Sequence, residues 1–234
     1  MGRAHAFRAN QPLAERYLHR IGASVNVAQL RQEYMRSGLS EEQAGADPLR
    51  LFSAWLEEAV RAGLPLPNAM TLATVSAEGA PDARIVLLKG LEHGGFAFYT
   101  NYGSRKAHQI DAQPLACLVF QWSELERQVR IEGEVEKVSA AESDAYFASR
   151  PLGARLSAWA SAQSARVASR KELEDAMAEA RQRHGDAPPR PPHWGGYRVM
   201  PRRLEFWQGR ADRLHDRLLY TASGAGWKIE RLAP

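Results

Sequence analysis

The chain reads as a mainly β protein, a small closed antiparallel barrel with helices packed on its outside. Three observations lead there. Seven or eight apolar runs have strand length, tight turns join most of them, and no β-α-β alternation threads them into a parallel sheet. At 234 residues, with 44% hydrophobic and 25% charged side chains, the chain has the composition of one globular domain large enough to bury a core.

Residues 1–27 set Arg3, Arg8, Arg16 and Arg20 against the single acid Glu15, with no apolar run or small-residue cleavage pattern for secretion. They mildly resemble a transit peptide but read rather as a mobile basic tail ahead of a single domain over 28–234. A helix should start at Asp47, a capping residue followed by Pro48, because Leu49, Phe52, Trp55, Leu56, Ala59 and Val60 recur at helical spacing until Gly63. Strands follow at 70–76, 83–89 and 96–100, separated by turns at Glu78-Gly79 and His93-Gly94-Gly95. A short helix is expected from Ser104, then strands at 115–122 and 128–138, the second alternating Val129, Ile131 and Val135 with charged neighbours. Helices are expected at 139–149 and 164–183. The proline cluster from Asp186 to Pro192 fits neither element and reads as an exposed extended linker. The last strands fall at 197–199, 204–208, 213–221 and 227–232.

A net charge of +4 is spread along the chain, so nucleic acid is allowed but not indicated. Cys117, the only cysteine, lies in an apolar run and reads as a packed core thiol; one thiol can build neither a disulfide framework nor a multi-cysteine metal site within a chain. A reducing, cytoplasmic setting fits it. No stretch approaches the roughly 20 apolar residues of a membrane span. The triphosphate-binding G-x-x-x-x-G-K-[ST] loop, the Rossmann glycine fingerprint, the G-x-S-x-G elbow and the H-E-x-x-H zinc motif are all missing from the sequence. No metal is expected, and His93, His108, His184 and His193 read as surface or turn residues.

Four constellations could carry chemistry. Arg84 and Lys89 bound an apolar strand and could serve two anions, or simply reach solvent. From Tyr99 and Thr100 a strand runs through Gly103 to Ser104, Arg105 and Lys106, where N–H groups at a helix start, a hydroxyl and two cations make a phosphate cradle; a plain cap with a solvated first turn is the alternative. Tyr146 and Arg150, four apart, share a face if helical, and a phenol beside a guanidinium suits a phosphate ester; an ordinary surface pair is the alternative. Arg213, His215 and Arg217 would project from one face of a strand, where they repel unless an anion or an electron-rich ring lies among them and where Trp207 on the preceding strand could supply a stacking or edge contact; a bland basic surface strip is the alternative.

In this order the motifs resemble the pyridoxine/pyridoxamine 5'-phosphate oxidases over residues 28–234, through Arg31 to Tyr34, Arg84 to Lys89, Phe98 to Ile110, Leu125 to Val129, Tyr146 to Pro151, Gln163-Ser164, Trp194 to Gly196 and Leu204 to Pro234. The resemblance implies a split β-barrel that binds flavin mononucleotide (FMN) non-covalently at a homodimer interface, each site drawing on both subunits. It implies flavin contacts at Arg84, Lys89, Tyr99, Thr100, Arg105, Lys106, Gln128, Gln163, Ser164, Trp207 and Arg217. It places the substrate phosphate on Lys89, Tyr146 and Arg150, the pyridine ring beside Arg213 and His215, and Arg31 and Tyr34 on an N-terminal lid. The implied activity is oxidation of pyridoxamine or pyridoxine 5'-phosphate by dioxygen to pyridoxal 5'-phosphate. A B6-phosphate or flavin carrier without turnover and a flavin reductase are the alternatives. One departure stands out: Ala154 occupies the place, four residues after the phosphate-binding arginine, where the family usually offers a serine. A lost hydrogen bond to a charged group costs about 1.5–3 kcal/mol unless something such as Ser157 or water replaces it, so weaker substrate binding is expected.

Overall fold

The structure, a computed structural model, describes residues 38–234. The expected basic tail and the lid residues Arg31 and Tyr34 lie outside the described residues. Strands β1 (Ala69–Val75), β2 (Pro81–Leu87), β3 (Phe96–Asn101), β4 (Leu115–Trp122), β5 (Arg127–Lys137), β6 (Trp194–Gln208), β7 (Asp216–Ser223) and β8 (Gly226–Arg231) form one antiparallel sheet. Its order is β2-β1-β4-β5-β6-β7-β8, with β3 paired to the first part of β6.

The barrel is not closed by a regular ladder. Between β2 and β3 the only links are a single bridge, Gly90 to Ala97, and the bonds Lys89 N–H to Ala97 O (2.8 Å) and Ala97 N–H to Gly90 O (2.9 Å). The chain turns away through Glu92–Gly94 before a second rung can form, so the expectation of a closed barrel gives way to a split one.

Helix α1 (Glu41–Ala44) precedes α2 (Pro48–Arg61), the helix anticipated at Asp47. The Asp47 carboxylate accepts from the Leu49 and Arg50 N–H groups and Pro48 occupies the first turn, as the helix-start logic requires. Phe52 and Trp55 are buried, and Val60, expected on the same apolar stripe, is 58% exposed. Phe52 meets the rings of Phe96 and Phe120 edge-on, each at 4.9 Å, and Trp55 meets Phe206 at 5.3 Å, which ties α2 to three strands of the core. Each such aromatic burial is worth about 1.5–3 kcal/mol.

β6 is one strand of 15 residues, where two short ones were expected. Pro201 lies between the two expected strands, and the β5–β6 register shifts at Glu132/Gly133, so Gly133 faces Pro201 and Glu132 faces Arg203. The bulge absorbs the proline's missing donor, and it needs Gly133 because a Cβ there would run into the Met200 carbonyl.

Three further expectations are corrected. Helix α5 (Leu152–Ala160) intervenes between α4 (Ala140–Ser149) and α6 (Arg170–His184), so the helix expected at 164 begins only at Arg170, where Ser169 caps it. The proline cluster is not a free linker: Pro188 and Pro191 are buried, Trp159 Nε1 donates to Pro189 O (2.8 Å), and Arg190 binds Asp144 (2.6 Å) and Trp194 O (2.7 Å). Cys117 is only half-buried, on the β4 face opposite the core, where burial nevertheless pushes its thiol pKa up.

Candidate active site

A cleft of about 850 Å³ opens beside β2 and β3 and is lined by Arg84, Lys89, Tyr99 and Thr100, by Arg105 and Lys106 of α3 (Arg105–Ala112), and by Tyr146, Arg150, Gln163 and Ser164. Ten of the expected site residues thus come together within one chain.

One cluster gathers three cations around a single acid that pairs with two of them. Arg84 and Arg105 both pair with Asp82, at 2.8 and 2.9 Å. Lys106 is 9% exposed and its Nζ donates to Thr100 Oγ1 (3.2 Å), Ser104 Oγ (3.4 Å) and Gln163 Oε1 (3.0 Å), all neutral oxygens. Burial, then the neighbouring Arg84, pull the Lys106 pKa down, while Asp82 opposes them. Burial resists the Asp82 charge, but Gln109, Arg84 and Arg105 outweigh it and hold that carboxyl below its ordinary range. A cluster with more positive charge than its own carboxylate neutralises is a site for an anion.

The local folding explains the geometry. Ser104 occupies the N-cap position of α3 without capping it; its hydroxyl turns to Lys106 instead. The Arg105 N–H is taken by Ser164 Oγ (3.2 Å), supplied by a left-handed residue (φ 75°) on the segment after α5. A hydroxyl from a remote segment therefore closes the helix start and brings Gln163 beside Lys106.

The second cluster is aromatic and cationic. Tyr99 stacks on Tyr146 at 4.0 Å and on Trp194 at 5.6 Å, and Arg150 lies over the Trp194 ring at 4.6 Å. Arg150 is the residue that ends α4, and its Nη1 is buried with no hydrogen-bond partner. Burial draws the Arg150 pKa down, with Tyr146 acting against it. A buried guanidinium donor without an acceptor is an open position for an oxyanion. Lys89 approaches the Tyr146 ring at 6.0 Å. Ser157 also lines the cleft, and its hydroxyl donates to the Ala154 carbonyl (3.0 Å), a bond it must give up to serve a phosphate. Trp194, Asp82 and Ser157 were not among the assigned site residues; the Trp194-Gly195-Gly196 run after the prolines was the visible signal for the first.

Gln128, Trp207, Arg213, His215 and Arg217 do not line this cleft. Gln128, Trp207 and Arg217 stand in one row across β5, β6 and β7, and the His215 ring lies 4.7 Å from Trp207. The expected alternation of Arg213, His215 and Arg217 on a strand is corrected. β7 begins only at Asp216, and Asp212 and Arg213 adopt left-handed backbone (φ 56° and 60°), so Arg213 sits on an exposed turn. The repulsion argument falls with it, because Arg217 Nε donates to Glu205 (2.8 Å) and His215 Nδ1 accepts the Arg210 N–H (3.1 Å).

Comparison with known proteins agrees with the fold. Residues 56–184 match the family described as pyridoxamine 5'-phosphate oxidase, and residues 194–234 match the pyridoxine 5'-phosphate oxidase C-terminal dimerisation region. The chain is 61% identical over 211 residues to a pyridoxine/pyridoxamine 5'-phosphate oxidase of Bordetella pertussis, covering 90% of this chain and 100% of the relative. It is 58% identical over 214 residues to the like-named protein of Rubrobacter xylanophilus, covering 91% and 99%. Among solved structures, PhzG of Burkholderia lata 383, crystallised with tetrahydrophenazine-1-carboxylic acid, superposes with a TM-score of 0.81 at 31% identity, covering 86% of this chain and 99% of that one. An FMN-binding protein of Nostoc punctiforme shares the fold at a TM-score of 0.66 and 23% identity, over 81% and 100% of the chains. The chain belongs to the pyridoxamine 5'-phosphate oxidase family. Its last forty or so residues are that family's dimerisation region.

Proposed function

We propose that the protein is a homodimeric, FMN-dependent oxidase that converts pyridoxamine 5'-phosphate or pyridoxine 5'-phosphate to pyridoxal 5'-phosphate, with dioxygen as oxidant and hydrogen peroxide, plus ammonia from the amine, as by-products. One observation carries it: a single cleft holds two cation clusters, one with two arginines on Asp82 and Lys106 beside them on neutral oxygens, and one with the unpartnered Nη1 of Arg150, as two phosphorylated ligands require. The donor set fits FMN, because Arg84, Arg105 and Lys106 offer charge to its phosphate and Gln163 and Ser164 offer polar contacts nearby. FMN, when bound, supplies hydride acceptance and passes the electrons to dioxygen.

The chain's own residues bind and orient. Lys89, Tyr146 and Arg150 hold the substrate phosphate, and the Tyr99–Tyr146–Trp194 stack gives that end of the cleft a rigid, flat wall. Gln128, Trp207, Arg213, His215 and Arg217 complete the cleft of the partner subunit, which accounts for their standing apart from this chain's own cleft. Arg213 and His215 then flank the pyridine and fix its orientation. The lone thiol fits a reducing, cytoplasmic setting.

The test is the visible spectrum of the purified protein followed by peroxide release on adding pyridoxine 5'-phosphate in air. Flavin absorbance and stoichiometric peroxide support the reading. Yellow protein without peroxide points to a carrier; colourless protein that riboflavin phosphate cannot reconstitute overturns the reading altogether.

A further inference from the structure

We infer that Glu205 is a positioning residue for the flavin: it fixes the Arg217 guanidinium in place, and binding depends on that fixation. The inference rests on the proposed role of Arg217. Glu205 lies on β6 two residues before Trp207, so both side chains leave the same face of the strand. Its carboxylate is only 9% exposed and bridges two arginines, accepting from Arg217 Nε on β7 at 2.8 Å and from Arg130 Nη1 on β5 at 3.2 Å. Arg217 is further held by the Ala233 carbonyl, which accepts from its Nη1 at 2.8 Å.

The register makes the consequence specific. Gln128, Trp207 and Arg217 are paired across three strands, and Arg130 and Glu205 are paired one step along the same face. Glu205 therefore anchors the row beneath the one assigned to the flavin. A free arginine samples many rotamers, and ordering it on binding costs affinity. With Nε and Nη1 already committed, the remaining Nη2 group is the one left to present to a ligand, and its direction is set by the other two bonds. Glu132 extends the ladder, pairing with Arg130 at 3.0 Å and Arg203 at 3.1 Å, so the pattern alternates in sign across the sheet and places Glu205 between two cations.

The experiment measures FMN dissociation constants of the apoprotein by fluorescence quenching for wild type, Glu205→Gln, Glu205→Asp, Arg217→Met and the double variant Glu205→Gln/Arg217→Met, with thermal melting of each. Glu205→Gln should weaken FMN binding roughly tenfold, Glu205→Asp should recover part of it, and in the Arg217→Met background the Gln change should add less than about twofold. Equal losses from Glu205→Gln with and without Arg217 overturn the inference, since Glu205 would then act by another route. A Glu205→Gln variant that melts early while Glu205→Asp melts normally and binds as weakly also overturns it. If Arg217→Met itself binds FMN normally, the role proposed for Arg217 fails, and the inference fails with it.

Discussion

The cleft beside β2 and β3 and the row across β5, β6 and β7 hold cations in opposite electrostatic states. In the cleft, Arg84 and Arg105 share the single acid Asp82, Lys106 faces only neutral oxygens, and Arg150 Nη1 has no partner. Along the C-terminal strands the acids are supplied in place: Glu205 serves Arg217 and Arg130, and Asp216 serves Arg210 and Arg231. The first region is incomplete without an anion, whereas the second is internally satisfied and works as a rigid platform. Substitutions in the first should therefore show up in ligand binding and barely in folding. Those in the second should show up in orientation or in stability.

The largest effect is expected at Arg213, exposed on a left-handed turn where it supports nothing in its own chain's cleft. Arg213→Met should lower kcat/KM by about a hundredfold or more, because misplacing a bound ring by an ångström costs that much, while the protein stays yellow. Loss of flavin in this variant, read from its absorbance, would move Arg213 to the cofactor side. Next in size is Lys106→Met. Removing a buried ammonium that faces only neutral oxygens should weaken FMN binding roughly 10- to 100-fold in a fluorescence titration, yet leave the melting temperature of the apoprotein unchanged or higher. A large drop in apoprotein melting temperature would mean that this cation is structural and the contrast between the regions is false.

These assignments divide by how local their causes are. Asp47 and Pro48 announce α2, and alternation announces β5, because capping and strand period are written in neighbouring residues. The strand-to-helix turn between Thr100 and Lys106 was readable for the same reason. What escaped depended on distant partners. Pro201 sits in β6 at a bulge whose close approach to β5 needs Gly133, far back in the chain. The turn at Asp212 and Arg213 is left-handed without a glycine, so its residue types did not signal that β7 starts late. Asp82 matters only because the fold puts both Arg84 and Arg105 on it.

Arg150→Ala sharpens the comparison at the substrate end of the cleft. Its Nη1 makes no hydrogen bond and its main contact is the face of Trp194 at 4.6 Å, so truncation should cost the empty protein little. The lost donor should instead raise KM for pyridoxine 5'-phosphate roughly tenfold or more with kcat less affected. Ser157→Ala is the companion variant. If Ser157 has taken over from the absent serine at position 154, KM should rise about threefold to tenfold, and an unchanged KM would show that its hydroxyl stays with the Ala154 carbonyl.

The smallest expected effect tests the satisfied region through pH. Asp216 is buried, which works against its charge, but the Leu39 N–H at 2.9 Å, Arg210 at 3.3 Å and Arg231 at 2.5 Å outweigh burial and hold its carboxyl below the ordinary range. A carboxyl whose native pKa is depressed contributes stability that is fully present above its unfolded value near about 4 and is lost as pH falls through the lower native value. Asp216→Asn keeps the shape but not the charge, and should cost about 1.5 kcal/mol in urea unfolding at about pH 7. The gap to wild type should then narrow as the pH drops below about 4, because the wild type is losing what the variant never had. Glu41, held at about 2 by Arg231, is present in both proteins and shifts the two curves together. A gap that stays constant down to about pH 3 would mean that Asp216 acts by packing alone, and the carboxylates of the C-terminal region would lose their claim to be its stabilising charges.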